Sequence, residues 1–536
     1  MFAYILKKIK FWQVKNQNPV KNENAQKQSS PSISRDLGKN LGMLRNILGE
    51  SNDVVIREFY FGNEGQLRGA LIFIDGLSDK SVINESIIKP LMYESRLTRK
   101  GEKPETADMD AIRSTMLSVG NIKQVSSAGE IVDGCLAGDT VLLVNGSAEG
   151  LVISSRGWET RGVQEPKTES VVRGPREGFT ETLRTNTALL RRKIRNPDLV
   201  LESMKLGQRT KTSICIAYIK GVANPKLIEE IRRRLRRIDT DSILESGYIE
   251  QFIEDAPFSI FPTIANSEKP DTVAAKLLEG RAAILVDGTP FVLTAPMVFI
   301  ESFQSAEDYY SRPYFASLLR MLRFISFFIS MLAPATYVAL TTFHQELIPT
   351  PLLFTMVAAH EGVPFPAVVE AGIMMITFEI LREAGVRLPR PVGQAISIVG
   401  ALVIGESAVS AGLIGAPMVI IVAITAVSSF VVSAQTDTGA ILRFIMLILA
   451  GVMGEFGIMI GLLGLSVHLA SLRSFGTPYL SPVAPLSPRD LKDVFVRAPI
   501  WAMFTRPRTI GWHDPQRQDF RLKPGPPDEE GDRREE

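Results

Sequence analysis

Apolar positions along this chain follow two regimes. Up to about residue 316 they come in short runs, each closed by a glycine turn and followed by a stripe of helical period. Between Arg323 and His468 they form runs long enough to cross a bilayer. The first regime repeats itself. Residues 69–92 (GALIFIDGLSDKSVINESIIKPLM) and 214–238 (ICIAYIKGVANPKLIEEIRRRLRRI) share one order: apolar run, glycine turn, amphipathic helix. Each is followed by a second matching unit, LAGDTVLLVNGSAEGLVIS from Leu136 and LEGRAAILVDGTPFVLTAP from Leu278. Asn145-Gly146 and Asp287-Gly288 are hairpin signals, because a type I′ turn needs positive φ at both central residues. The pattern predicts two related α/β subdomains, 36–170 and 211–316, each a small mixed sheet carrying helices. A basic helical connector, 171–210, joins them, and a basic start with a flexible linker, 1–35, precedes them.

The second regime predicts an α-helical multi-span membrane domain over 317–470. Residues 324–343 are uncharged over about the twenty positions a crossing requires, with Pro334 inside as a kink point. Arg320 and Arg323 precede this run, which by the positive-inside rule puts the N-terminal part in the cytoplasm. Residues 350–359 are too short to cross. Residues 364–381 form a weak span carrying Glu370 and Glu379, followed by an arginine-rich loop, 382–390. Two more spans follow, 394–412 interrupted by Glu406 and 417–434 without charge, and a last helix, 444–467, has Glu455 at its middle. Gly454, Gly457, Gly461 and Gly464 put one smooth stripe on that helix, a face for close helix packing. Five spans would leave the basic C-terminus outside. Either one segment is a hairpin that does not cross, with the break GVMGEFG, 451–457, making the last helix a candidate, or the tail is an exception to the charge rule. A membrane-proximal segment, 471–503, and a disordered tail, 504–536, complete the chain.

Candidate chemistry narrows the picture. A net charge of +2 over 536 residues excludes nucleic-acid binding through bulk electrostatics. Cys135 and Cys215 stand far apart without companion histidines and read as reduced core thiols. No phosphate-binding loop, metal-spaced cluster or nucleophile motif is present, so no enzyme, metal or cofactor is expected. The first fifteen residues lack a continuous apolar core and a cleavage site. They form either a membrane-surface helix or a floppy start. Arg173, Arg176, Arg184, Arg191 and Arg192 cluster on the connector, as a solvated face or as a contact for lipid headgroups, an anionic partner or another copy. Carboxylates deep in apolar helices cost at least about 2.5 kcal/mol and so face water, a partner or a pore. Glu370, Glu406 and Glu455 are therefore candidates for an ion pathway or gate, or else for hydrogen-bonded carboxyls that fix helix contacts. Glu379, one turn before Glu383, is expected to meet Arg382 or the interface.

Three strings carry a resemblance. VRGPREGFTETLRTNTALLRRKI, the block from Pro364 that begins PFPAVVEAGIMMITFEILREAGVRLPRPVGQ, and HLASLRSFGTPYLSPVAP resemble the A subunits of bacterial spore germinant receptors, over roughly 36–501. Glu455 departs from the apolar residue expected at that place. The resemblance implies a protein of the endospore inner membrane with its large N-terminal domain on the core side. Its implied partners are a permease-like B subunit, which chiefly binds the nutrient, and a lipoprotein C subunit. It also implies self-association into an ion-conducting ring, a pentamer. Two alternatives are an accessory subunit of the stage V sporulation AF type and, more remotely, a secondary transporter. A transporter would show an inverted repeat of spans, whereas the duplication lies only in the soluble half.

Overall fold

Two five-stranded sheets with one strand order between them organise the N-terminal region. The computed structural model describes residues 31–48, 51–62, 66–93, 109–113, 119–157, 171–387, 405–488, 490–511 and 514–518, with a few isolated positions besides. The chain divides into two compact units, 1–158 with 195–197, and the remainder. The expected surface helix and linker before residue 31 lie outside the described residues.

The first unit holds α1 (Leu37–Leu48), β1 (Val54–Phe61), β2 (Leu67–Ile74), β3 (Ile122–Val125), α2 (Ala128–Leu136), β4 (Thr140–Val144) and β5 (Gly150–Ile153). Its sheet runs β1-β2-β4-β5-β3. The second unit begins with α3 (Leu183–Lys193), β6 (Leu199–Leu206), β7 (Thr212–Ile219), α4 (Pro225–Arg237), β8 (Ala265–Ser267), α5 (Pro270–Leu278), β9 (Ala282–Val286) and β10 (Val292–Ala295). Its sheet runs β6-β7-β9-β10-β8, the same order strand for strand. The duplication read from the sequence is real. The sheets, however, are antiparallel at every described pairing rather than mixed. The cause is topological. β3 and β4 run in one direction, as a strand–helix–strand link demands, but β5 is inserted between them and removes the parallel pair.

Both predicted hairpins form, with five-residue connections instead of two-residue turns. Only the glycines take positive φ, 93° at Gly146 and 94° at Gly288. Each hairpin loop also grips the helix before its sheet. Asn145 Oδ1 accepts from Leu37 N at 3.1 Å, and Asp287 Oδ1 from Leu183 N at 3.0 Å. Asn40 and Asn186 repeat the likeness, accepting from Ser34 N at 2.8 Å and Thr180 N at 2.7 Å. α3, inside the expected connector, thus stands to the second sheet as α1 stands to the first.

Strand alternation then builds the core. Ile214 and Ile216 on β7 pack with Ile228, Ile231 and Leu235 of α4. Cys215, Ala217 and Ile219 face the other way, against Leu189 and Leu190 of α3 and Leu277 of α5. Cys135 and Cys215 are buried thiols outside any disulfide. Burial, reinforced by nearby Asp139, pushes the Cys135 thiol up to about 12, so it is inert as a nucleophile.

The helical part of the second unit comprises α6 (Pro313–Thr342), α7 (Thr350–His360), α8 (Ala367–Arg387), α9 (Ala416–Phe430) and α10 (Thr436–Ser471). The span expected over 394–412 lies mostly outside the described residues, with only a short helix, Gly405–Ser410, in view. Where a loop was expected from residue 382, α8 continues to Arg387. Intrahelical pairs make this possible, Arg382 with Glu379 at 2.7 Å and Arg387 with Glu383 at 2.6 Å.

α10 is not one rod. Gly454 has φ 61° and ψ −140°, and the helix folds back there. A Cβ on Gly461 would lie 2.6 Å from Met446 Sδ, fifteen residues away, which a straight helix forbids. The arms, 436–453 and 455–471, are about 27 and 25 Å long at 1.5 Å per residue. Both open ends return to the second subdomain. Thr438 donates to Ile260 O at 2.7 Å, and His468 Nε2 meets Ser259 Oγ at 3.0 Å. The tip lies instead beside Phe343 and His344, past the end of α6.

At its other end α6 is tied down by Arg320, fully buried between Asp308 (3.2 Å) and Asp493 (2.8 Å), and by Arg323 on Asp308 at 2.8 Å. Residues 504–511 and 514–518, expected within a disordered tail, fold back in part onto the second subdomain. Arg506 donates to Leu278 O, Asp514 O and Gln516 O, each at 2.8 Å.

Candidate functional site

Proline has no N–H, so Pro334 leaves the carbonyl of Ser330 without its helical donor. Arg443, on the first arm of α10, supplies the missing bond: its Nε donates to Ser330 O at 3.0 Å. Nη1 of the same guanidinium reaches Glu379 of α8 at 3.1 Å, and Arg382 holds the other oxygen of that carboxylate at 2.7 Å. Arg443 is 1% exposed and lies over the Phe378 ring at 5.8 Å. One buried arginine therefore joins three helices at the point where proline weakens α6. The last helix thus starts before Phe444, the start expected from the apolar run, and takes in Arg443. The expected contact between Glu379 and Arg382 forms.

A second polar cluster lies nearer the hairpin tip. Glu370 is fully buried. One of its oxygens accepts from Gly415 N, at the N-cap of α9, and the other lies 3.0 Å from His360 Nε2. His360 Nδ1 lies 3.1 Å from Met356 O. Both ring nitrogens thus face acceptors, so the contact between His360 and Glu370 must carry a proton, on the ring or on the carboxyl. The glutamate fixes α7, α8 and α9 together and is not exposed in the single chain. Glu370→Gln keeps an acceptor for Gly415 N and gains a donor for His360, so near-normal stability is expected. Glu370→Leu orphans both partners, at about 1–3 kcal/mol each. Thermal unfolding of the detergent-solubilised protein distinguishes the two, and equal damage from both would mean that the charge itself is required.

The other candidates are placed as follows. Glu406 is exposed on the short helix before α9, and Glu455 is exposed immediately after the tip. Among the described residues, none of the three membrane-half candidates Glu370, Glu406 and Glu455 bonds another. Gly457 and Gly461 pack against Leu449 and Met446 of the opposite arm, and Gly454 against Phe343, whereas Gly464 meets nothing within 4 Å. The stripe therefore serves mainly the hairpin's own closure. In the basic cluster, Arg173, Arg176 and Arg184 are exposed. Arg191 is 2% exposed, and Arg192 pairs with Glu177 at 3.0 Å, so the cluster is not one open basic face. No group of three potential metal ligands occurs among the described residues.

Comparison with known proteins gives consistent likenesses. A family model described as Bacillus/Clostridium GerA spore germination protein matches residues 42–509. Spore germination protein KA of Bacillus subtilis (strain 168) is 49% identical over 496 residues, 92% of this chain and 90% of that one. An uncharacterized membrane protein of the same strain, YfkQ, is 45% identical over 479 residues, 89% of this chain and 92% of that one. Among solved structures, the N-terminal domain of the A subunit of the Bacillus megaterium spore germinant receptor GerK3 has 39% sequence identity. It covers 51% of this chain and 99% of its own, with a TM-score of 0.41.

Proposed function

The chain belongs to the GerA family of Bacillus and Clostridium spore germination proteins, and on that premise we propose that it is the A-type subunit of a nutrient germinant receptor in the endospore inner membrane. The observation that carries this reading is the family match across 42–509, which takes in both the α/β region and the helical bundle.

Membrane embedding is supported by the bundle's outer surface. Ile325 and Phe328 on α6, Ile380 on α8, Val427 on α9, and Ile448 and Leu463 on α10 are all exposed, a continuous apolar load that water does not tolerate. The arms of α10 are close to the thickness of a bilayer core, about 30 Å. Each arm then crosses once. The hairpin returns the chain to the side of the α/β region, and this removes the charge conflict of a five-span count. That side is the cytoplasm, the spore core.

In this account the polar groups inside the bundle set its conformation, and ions pass where copies meet. The chain works with a permease-like B subunit that binds the nutrient, with a lipoprotein C subunit, and with further copies of itself in a ring. Glu406 and Glu455, both exposed in one chain, line the ion path in that ring, while Glu370 acts as a latch. Potassium release from spores carrying Glu406→Gln or Glu455→Gln tests the assignment. Slowed release at unchanged protein level is expected, and wild-type kinetics from both variants would remove the two carboxylates from the path.

A further inference from the structure

We propose that Arg443 and Arg382 form a binding site for a single oxyanion of phosphate type at the domain-side end of the bundle. Two arginines flank one carboxylate there, so the trio of Arg443, Glu379 and Arg382 holds a net charge of +1. The surroundings do not cancel it. Glu383, the nearest acid on α8, is committed to Arg387 at 2.6 Å, and Arg320 and Arg323 at the base of α6 already occupy Asp308 and Asp493.

Two donors are also left over. Arg443 Nη2 and Arg382 Nη1 are buried and have no hydrogen-bond partner among the described residues. Nη1 of Arg443 and Nη2 of Arg382 hold the two oxygens of Glu379, so the spare nitrogens lie on guanidinium groups that straddle the same carboxylate. A buried, unsatisfied, charged donor costs more than a neutral one, and here two occur on guanidinium groups that share one carboxylate. An oxyanion accepting from both satisfies the donors and brings the site to neutrality in one step.

The side chains of Arg382 and Glu379 are each 19% exposed, while that of Arg443 is 1% exposed, so an anion approaches from the side of Arg382 and Glu379. Ile376 and Ile380, on the same stretch of α8, are exposed. A phosphodiester can thus dock with its chains along those isoleucines, and a free phosphate can approach from the same side. Guanidinium geometry suits either source. The site itself does not depend on the receptor assignment; only a lipid source for the anion rests on the bundle lying in a bilayer.

The test is thermal unfolding of the full-length protein in a maltoside detergent, titrated separately with inorganic phosphate and with dihexanoylphosphatidylglycerol. A saturable rise in the unfolding midpoint is expected with at least one of them. A rise with the lipid alone identifies a headgroup site, and a rise with both identifies a site open to free anions. In Arg382→Gln the neutral pair of Arg443 and Glu379 remains. The apparent affinity is expected to fall at least tenfold, and the midpoint without anion to stay level or rise, which a purely structural ion pair would not allow. Arg382→Lys, should the glutamine variant fail to fold, is expected to bind several-fold more weakly than wild type. No shift in wild type, or an unchanged affinity in the Arg382 variant that folds, would each overturn the site.

Discussion

Replacing Gly454 with alanine is expected to destabilise the bundle by several kcal/mol. The backbone there has φ 61° and ψ −140°, a region that costs a residue with a side chain about 1–3 kcal/mol. The added Cβ would also lie 2.9 Å from Phe343 Cβ and 3.0 Å from its Cγ, atoms too close to the backbone to swing away. The sign of the effect is diagnostic. In a continuous helix the same change would stabilise by about 0.5–1 kcal/mol, because alanine is the better helix former. Gly464→Ala provides the contrast, since its Cβ meets nothing within 4 Å. Unfolding midpoints of the two variants decide the matter. A Gly454→Ala protein as stable as wild type, or more so, would mean that α10 is a rod and that its two ends lie on opposite sides.

The second large effect is expected at Arg443. Arg443→Leu takes from Glu379 one of its two arginines and leaves the Ser330 carbonyl bare, at about 1–3 kcal/mol for each bond lost. Arg443→Lys keeps the charge but loses the planar fork that reaches Ser330 and Glu379 together. The proline supplies an internal check. Pro334→Ala restores an N–H four residues after Ser330 and gives its carbonyl a helical donor. The double variant Pro334→Ala with Arg443→Leu should therefore be more stable than the sum of the single effects, by about 1 kcal/mol or more. Strict additivity would break the proposed link between proline and arginine. Because the link joins α6, α8 and α10, the Arg443 variants that fold are also expected to alter the rate of ion release.

The parts of this fold that were legible in the sequence are those written in local pattern. The glycine turns and alternating runs of both subdomains are such features, and the spacing of glycines around 451–457 marked the break in α10. Strand order was not legible, because it depends on β5 inserting between β3 and β4, a long-range event without a local sign. The likeness of α3 to α1 is written in the sequence: Ser34 with Asn40, and Thr180 with Asn186, share a six-residue spacing, but the surrounding arginines mask it with a charge pattern. Arg443 is hidden because a charged residue at the edge of an apolar run reads as the end of a span. The relation of Pro334 to Ser330 was the signal that could have found its partner. The contact of Glu370 with His360 needed the turn between α7 and α8, and the inward use of the glycine stripe needed the hairpin itself.

A chain that serves a receptor with its own nutrient range is needed for only part of the germination response. Potassium and dipicolinate release from spores lacking the chain, measured against a panel of single nutrients, tests this. Release is expected to be lost for some nutrients and intact for others. A uniform slowing for every nutrient would instead make the chain an accessory subunit.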